Sequence, residues 1–145
     1  MFKKLLLFLT ITITMLLLTS TTLSQHISFT NIEPTDGYLD YTHVFSSFYS
    51  YRQTDFIYMF LESPSGYTFN ARELTLEIYL WDKINREYYS VFTKTYDIKS
   101  GWNYFYVPLN FYRIYDYEFR YYKVKVFLDY DYEAYAEAPF TFEFK

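Results

Sequence analysis

From residue 120 onward the chain alternates. Tyr122, Val124, Val126 and Leu128 fall on one side of an extended backbone, with Lys123, Lys125 and Asp129 on the other. This is the period of two expected of a half-buried strand. Asp129-Tyr130-Asp131 breaks the pattern with turn-prone carboxylates, and Phe140, Phe142 and Phe144 resume it with Thr141, Glu143 and Lys145 opposite. A closing hairpin is the expectation. The cleanest alternation lies at Glu73 to Trp81, where Leu74, Leu76, Ile78 and Leu80 face in and Glu73, Thr75, Glu77, Tyr79 and Trp81 face out. Asp55 to Glu62 differs, because Phe56, Tyr58 and Phe60 oppose Ile57, Met59 and Leu61. Apolar residues on both sides predict a central strand covered on both faces.

The remaining stretches complete a set of about eight strands and no helix. His26 to Asn31 is the first strand and Tyr41 to Tyr51 the second, separated by a turn at Glu33-Pro34-Thr35-Asp36-Gly37. Ser63-Pro64-Ser65-Gly66 turns the chain, Asp82 to Arg86 is a polar loop, and Tyr88 to Ile98 is a strand ended by Lys99-Ser100-Gly101. Trp102 to Leu109 follows, with Phe105, Val107 and Leu109 on one side and Trp102, Tyr104 and Tyr106 on the other. Its Pro108 suits an edge or a strand end. Phe111 to Glu118 is an aromatic connection with no clear period.

The first residues change the picture from a domain to an exported domain. Lys3 and Lys4 precede an apolar run from Leu5 to Leu18, and Thr22-Leu23-Ser24 places small residues where a signal peptidase cuts. Residues 1–24 are read as a signal peptide and 25–145 as one domain, periplasmic or extracellular. An uncleaved membrane anchor is the rival reading, since the apolar run stretches from Leu5 to Leu23, at the short limit for a span. There is no cysteine, so packing alone holds the domain, from a supply of 20 Tyr, 16 Phe and 2 Trp. Loss of Lys3 and Lys4 takes the net charge from −4 to −6 (−4 − 2). An acidic domain disfavours nucleic acid and anionic membranes as partners.

The succession Phe56 to Phe60, Leu74 to Asp82, Ser100 to Leu109, Tyr122 to Asp129 and Ala136 to Phe142 resembles the small immunoglobulin-like sandwich domains of exported bacterial proteins. The resemblance covers nearly all of the mature chain and implies a fold and a role in binding or assembly, with no site attached. The chain departs from that pattern where Arg120 or Tyr121, and Tyr130, stand in place of glycines, so a loop at Asp129 to Glu133 replaces a tight two-residue turn. An all-β, antiparallel, immunoglobulin-like sandwich of seven to eight strands is the expected fold.

The chain carries few residues suited to catalysis. There are two histidines, His26 and His43, and no Gly-rich phosphate loop or nucleophile motif. The expectation is a protein that is not an enzyme and needs no cofactor. Asp129, Asp131 and Glu133 form an acidic turn, a weak calcium candidate that lacks the glycine and spacing of a calcium loop; a soluble hairpin tip is the preferred reading. Tyr79, Trp81, Trp102, Tyr104 and Tyr106 point away from the predicted core on two strands. Such amphipathic rings suit a protein or carbohydrate partner, or they are cross-strand pairs that stiffen a sheet. The leading expectation is an exported, non-catalytic binding or structural module using an aromatic sheet face or a sheet edge, the terminal strand Phe140 to Lys145 being one such edge. The alternatives are an eight-stranded outer-membrane barrel and a carbohydrate-active hydrolase whose carboxylate pair is hidden among the outward positions.

Overall fold

A computed structural model describes residues 26–50, 56–109 and 120–144; the segment 1–24 expected to be a signal peptide and the connection Phe111 to Glu118 lie outside the described residues. The strands are β1 His26–Thr30, β2 Ser47–Ser50, β3 Ile57–Glu62, β4 Glu73–Asp82, β5 Glu87–Asp97, β6 Tyr104–Leu109, β7 Arg120–Leu128 and β8 Ala136–Phe144. They form two sheets, ordered β1-β3-β6 and β2-β8-β7-β4-β5. The expected all-β sandwich is what these residues build. Among the described residues the eight strands form two sheets that do not close into a barrel, unlike the architecture that the outer-membrane alternative calls for.

Period-two patterning decides the interior. Leu74, Leu76 and Ile78 of β4, Tyr122, Val124, Val126 and Leu128 of β7, and Phe140 of β8 are buried on one side of the larger sheet. Facing them are Phe29 of β1, Ile57, Met59 and Leu61 of β3, and Phe105, Val107 and Leu109 of β6. The layers meet at Phe29 and Phe140, whose ring centroids are 4.8 Å apart, and Tyr122 stacks on Phe140 at 5.1 Å. Each such ring removes a large apolar area from water, and in a chain without cysteine this packing does the work that disulfides do elsewhere.

β3 is central, as its two apolar faces predict. Its outward Phe60 is 2 % exposed, stacked parallel to Tyr104 at 6.0 Å. Residues 31–45 fold over that face. Gly37 seats on the Tyr104 ring, and the Tyr41 hydroxyl donates to Glu62 at 3.1 Å. The expected strand Tyr41 to Tyr51 is corrected here. Asp40 accepts from the Thr42 N–H at 2.9 Å and the Thr42 hydroxyl at 2.6 Å, winding residues 41–43 into a 3₁₀ turn, so that the strand begins only at Ser47. A short polar side chain competing for the backbone is a known way to lose a strand.

β2 then runs parallel to β8, pairing Ser47 with Thr141 and Ser50 with Phe144. This departs from an all-antiparallel sandwich, and it also corrects the expectation that the terminal strand is an open edge, because its own chain covers it. Pro139 fits the same geometry. The Thr141 N–H turns toward Ser46 O at 2.8 Å, so Pro139, two residues earlier, would turn its missing N–H to the same side, before β2 begins. The β7–β8 connection is the longer loop expected, and Asp129 enters it at φ 50°, a left-handed value that Asp tolerates better than most residues.

Candidate functional site

The two lateral sides of the sandwich differ. On one, residues 44–46 bridge the layers: Val44 pairs with Thr30, Phe45 N–H donates to Phe29 O at 3.0 Å, and Ser46 O accepts from Thr141. On the other, β6 of the small sheet and β5 of the large sheet are both terminal, and neither has a further strand beside it among the described residues.

The register shows which backbone groups face out there. Ser63 N–H donates to Asn103 O at 2.9 Å, so by alternation Phe105, Val107 and Leu109 turn their backbone groups to β3, and Tyr104, Tyr106 and Pro108 turn theirs away. Pro108 is therefore accommodated because its absent N–H points off the sheet. Likewise Ile98 N–H donates to Arg72 O at 2.8 Å, which turns the groups of Thr93, Thr95 and Asp97 outward on β5. The β5 edge is guarded by a bulge opposite Ile78/Tyr79 and by Lys94, a cation at a position opposite buried Leu76. Both are recognised devices against strand pairing. The stretch of β6 from Tyr104 to Tyr106 carries no such guard.

Between these edges opens a cleft of about 580 Å³, lined by Tyr96, Asp97, Gly101, Trp102, Asn103 and the β6 residues Tyr104 to Tyr106. Its floor is Tyr96 against Phe105, 5.3 Å between centroids, and Lys94 Nζ lies 4.8 Å from the centre of the Tyr96 ring. Burial pushes the Tyr96 hydroxyl above its ordinary pKa. The mouth is a pinned turn. Gly101, at φ 96°, donates to Phe69 O at 3.1 Å, Phe69 N–H donates to Trp102 O at 2.7 Å, and Trp102 N–H donates to Lys99 O at 3.1 Å. Trp102 is thereby held at the rim, 41 % exposed. A mostly aromatic wall with few polar groups, one carboxylate among them, is the usual make-up of a binding cleft.

The five aromatic residues singled out in the sequence do not share one surface. Trp102, Tyr104 and Tyr106 line the cleft, with Tyr104 partly covered by Gly37. Tyr79 and Trp81 lie on the outer face of the five-stranded sheet, the opposite side of the molecule, because β4 and β6 belong to different layers. There Trp81 meets Tyr88 edge-on at 5.0 Å, Lys123 Nζ sits 4.6 Å above Tyr88, and Lys125 Nζ sits 5.3 Å above Tyr79. Glu137 joins both lysines at 4.0 and 3.8 Å. Tyr79 donates to Glu77, and that bond, reinforced by burial, pushes the phenol up to about 12. Tyr96, Asp97 and Asn103 are site residues that the alternation pattern does not mark. The available signal is the Lys99-Ser100-Gly101 turn that joins two aromatic strands.

The acidic turn is not assembled as a cation site. Asp129 Oδ1 accepts from the backbone N–H groups of Arg72 at 2.8 Å and Glu73 at 3.1 Å, and no group of three metal-binding side chains occurs among the described residues. His43 pairs with Asp40 at 2.9 Å in the 3₁₀ turn rather than lying in a strand. The two N–H bonds hold the Asp129 carboxyl below the ordinary carboxylate range. The stabilisation is therefore present above about pH 4 and disappears as pH falls through the folded-state value. Asp129→Ala is expected to melt lower than the parent at pH 7, with the difference narrowing toward pH 2, while Asp129→Asn retains more of the stability. Thermal melts across that range check this.

No protein-family model matches the chain, and no curated protein matches it in sequence.

Proposed function

We propose that this is an exported, non-catalytic binding module, acting in the periplasm or outside the cell, that engages its partner through the open lateral edge of the sandwich. The observation that carries the reading is the aromatic cleft between β5 and β6, where a pinned tryptophan, a carboxylate and unguarded backbone groups converge. The outer face of the large sheet is the weaker candidate. Its Tyr88 and Tyr79 rings are already capped by Lys123 and Lys125, so a ligand stacking on either would have to displace an ammonium group, and Trp81 is engaged edge-on with Tyr88. The strand order, three against five with a late hairpin in the larger sheet, agrees with the immunoglobulin-like reading, in which loops and edges commonly carry recognition. Export rests on the Lys3 to Ser24 pattern.

Two tryptophans on opposite sides make the test direct. Trp102→Ala is expected to weaken retention of the protein on immobilised partner about tenfold or more, a readout that does not depend on its own fluorescence, while changing stability by no more than about 1 kcal/mol, since the ring stands at a rim. Trp81→Ala is expected to leave binding intact and to cost about 1–2 kcal/mol through loss of its packing on Tyr88. Titrations of both variants against immobilised extracts of cell-envelope proteins and polysaccharides, with the exported protein first fractionated, check the assignment. The opposite pattern would move the site to the large sheet.

A further inference from the structure

We infer that the occupant of the open edge is an extended peptide segment of basic and apolar alternation, added as a fourth strand beside β6. This rests on the binding reading above and names its partner class.

The backbone supplies the directional part. Tyr104 and Tyr106 each turn an N–H and a C=O away from β3, and Pro108 turns a C=O the same way. Among the described residues nothing bonds to these groups. Unpaired edge groups of this kind template strand addition. Five residues of β6 at about 3.3 Å each match a segment of roughly five to six residues. Side chains of an added strand alternate. One set enters the cleft toward Tyr96 and Phe105, where the wall is aromatic and apolar side chains fit. The other set faces solvent. Charge selects the second set through the field of the whole domain, since residues 25–145 carry −6 (−4 − 2, without Lys3 and Lys4); within the cleft Asp97 stands near the Lys94 ammonium group on the Tyr96 ring, so that side favours apolar side chains. A lysine-bearing segment is steered toward such a surface and an acidic one is repelled. A second copy of this acidic chain is disfavoured by the same field. The neighbouring β5 edge does not compete for the segment, because its bulge and Lys94 interrupt it.

The test uses the mature chain with Trp81→Phe, so that Trp102 reports alone, and the capped peptide acetyl-Lys-Val-Lys-Val-Lys-Val-amide. Two further versions carry N-methyl groups on the odd or on the even residues, and cellohexaose serves as a carbohydrate probe. The expected result is a saturable Trp102 shift with the plain peptide, with amide exchange at Tyr104 and Tyr106 slowed about tenfold or more at saturation. One methylation phase is expected to weaken binding about tenfold or more and the other to be tolerated, since alternate N–H groups face β6. Tyr106→Pro removes an outward N–H that β3 does not use, and it is expected to lose about tenfold in affinity where Tyr106→Ala, which keeps the N–H, loses less. Equal binding by both methylated peptides, or unprotected Tyr104 and Tyr106 amides in the bound state, would overturn strand addition. The methylation result stands even if Tyr106→Pro fails to fold. A Trp102 shift with cellohexaose and none with the peptide would overturn strand addition and retain the cleft as a binding site. No shift with either probe would overturn both.

Discussion

Val126→Asp is expected to abolish the cooperative unfolding transition of the domain. Val126 is fully buried on β7, with Leu76 of β4 beside it on one side and Ala136 of β8 on the other. The substitution loses about 1.5–3 kcal/mol of apolar burial and places a carboxylate where the neighbouring inward side chains offer no hydrogen bond. The carboxylate must stay protonated or be hydrated by opening the sheet, and either route costs several kcal/mol more, on the order of the whole stability of a domain this size, about 5–15 kcal/mol. The position matters because β7 lies between β8 and β4, so its loss separates β8 and β2 from β4 and β5. Glu137→Gln is the control on the same sheet. It removes outer-face pairs to Lys123 and Lys125 at 4.0 and 3.8 Å and is expected to change stability by less than about 1 kcal/mol. Urea denaturation followed by circular dichroism separates the two cases. A Val126→Asp protein with a normal transition would mean that the buried face of β7 had been assigned to the wrong side.

The same strand illustrates how far a local pattern of residues reaches. Alternation tells which side of a strand is apolar, and at Glu73 to Trp81, Trp102 to Leu109 and Tyr122 to Leu128 the buried sides are the ones the pattern marks. Alternation does not tell which layer a strand joins. Trp81 and Trp102 both point outward, and they end on opposite sides because β4 pairs with β7 while β6 pairs with β3. Those pairings are set by contacts between residues distant in sequence, to which a local period is blind. The second strand shows a different limit. Tyr41 to Tyr51 has aromatic and β-branched residues in plenty, yet Asp40 diverts its first residues into a turn through bonds made within three positions. The cleft is illegible for both reasons together. It exists because two strand edges from two layers are left side by side, and neither edge has a signature beyond Pro108 and Lys94, which mark strands that need protection. The Asp129 turn is legible in outline, since the missing glycines point to a longer loop; the bonds from its carboxylate to Arg72 and Glu73 cross from another strand.

Gly37→Ala is expected to destabilise the domain by about 2–4 kcal/mol and to weaken binding at the cleft, although residue 37 does not line it. Gly37 has φ 76°, a conformation that costs an L side chain about 1 kcal/mol or more. A Cβ there would also lie under 3.0 Å from Cδ1, Cε1 and Cζ of Tyr104, which adds an overpacking cost of about 1–3 kcal/mol. The ring's retreat is limited by Phe60, which lies parallel to it at 6.0 Å and is itself 2 % exposed on the central strand. Relief must come from lifting residues 31–45 off the sheet or from shifting β6, and a shift of β6 moves Trp102 and the outward backbone groups of Tyr104 and Tyr106 together. The two contributions separate in a double-mutant cycle. With Tyr104→Ala as background the clash is gone and only the backbone cost remains, so Gly37→Ala is expected to cost about 1 kcal/mol there and to show a coupling of about 1–3 kcal/mol. Additive effects would mean that the penalty is conformational and local to residue 37. Coupling, accompanied by a blue or red shift of Trp102 emission in the single variant, would mean that the segment over the small sheet holds the β6 edge in the position a partner meets.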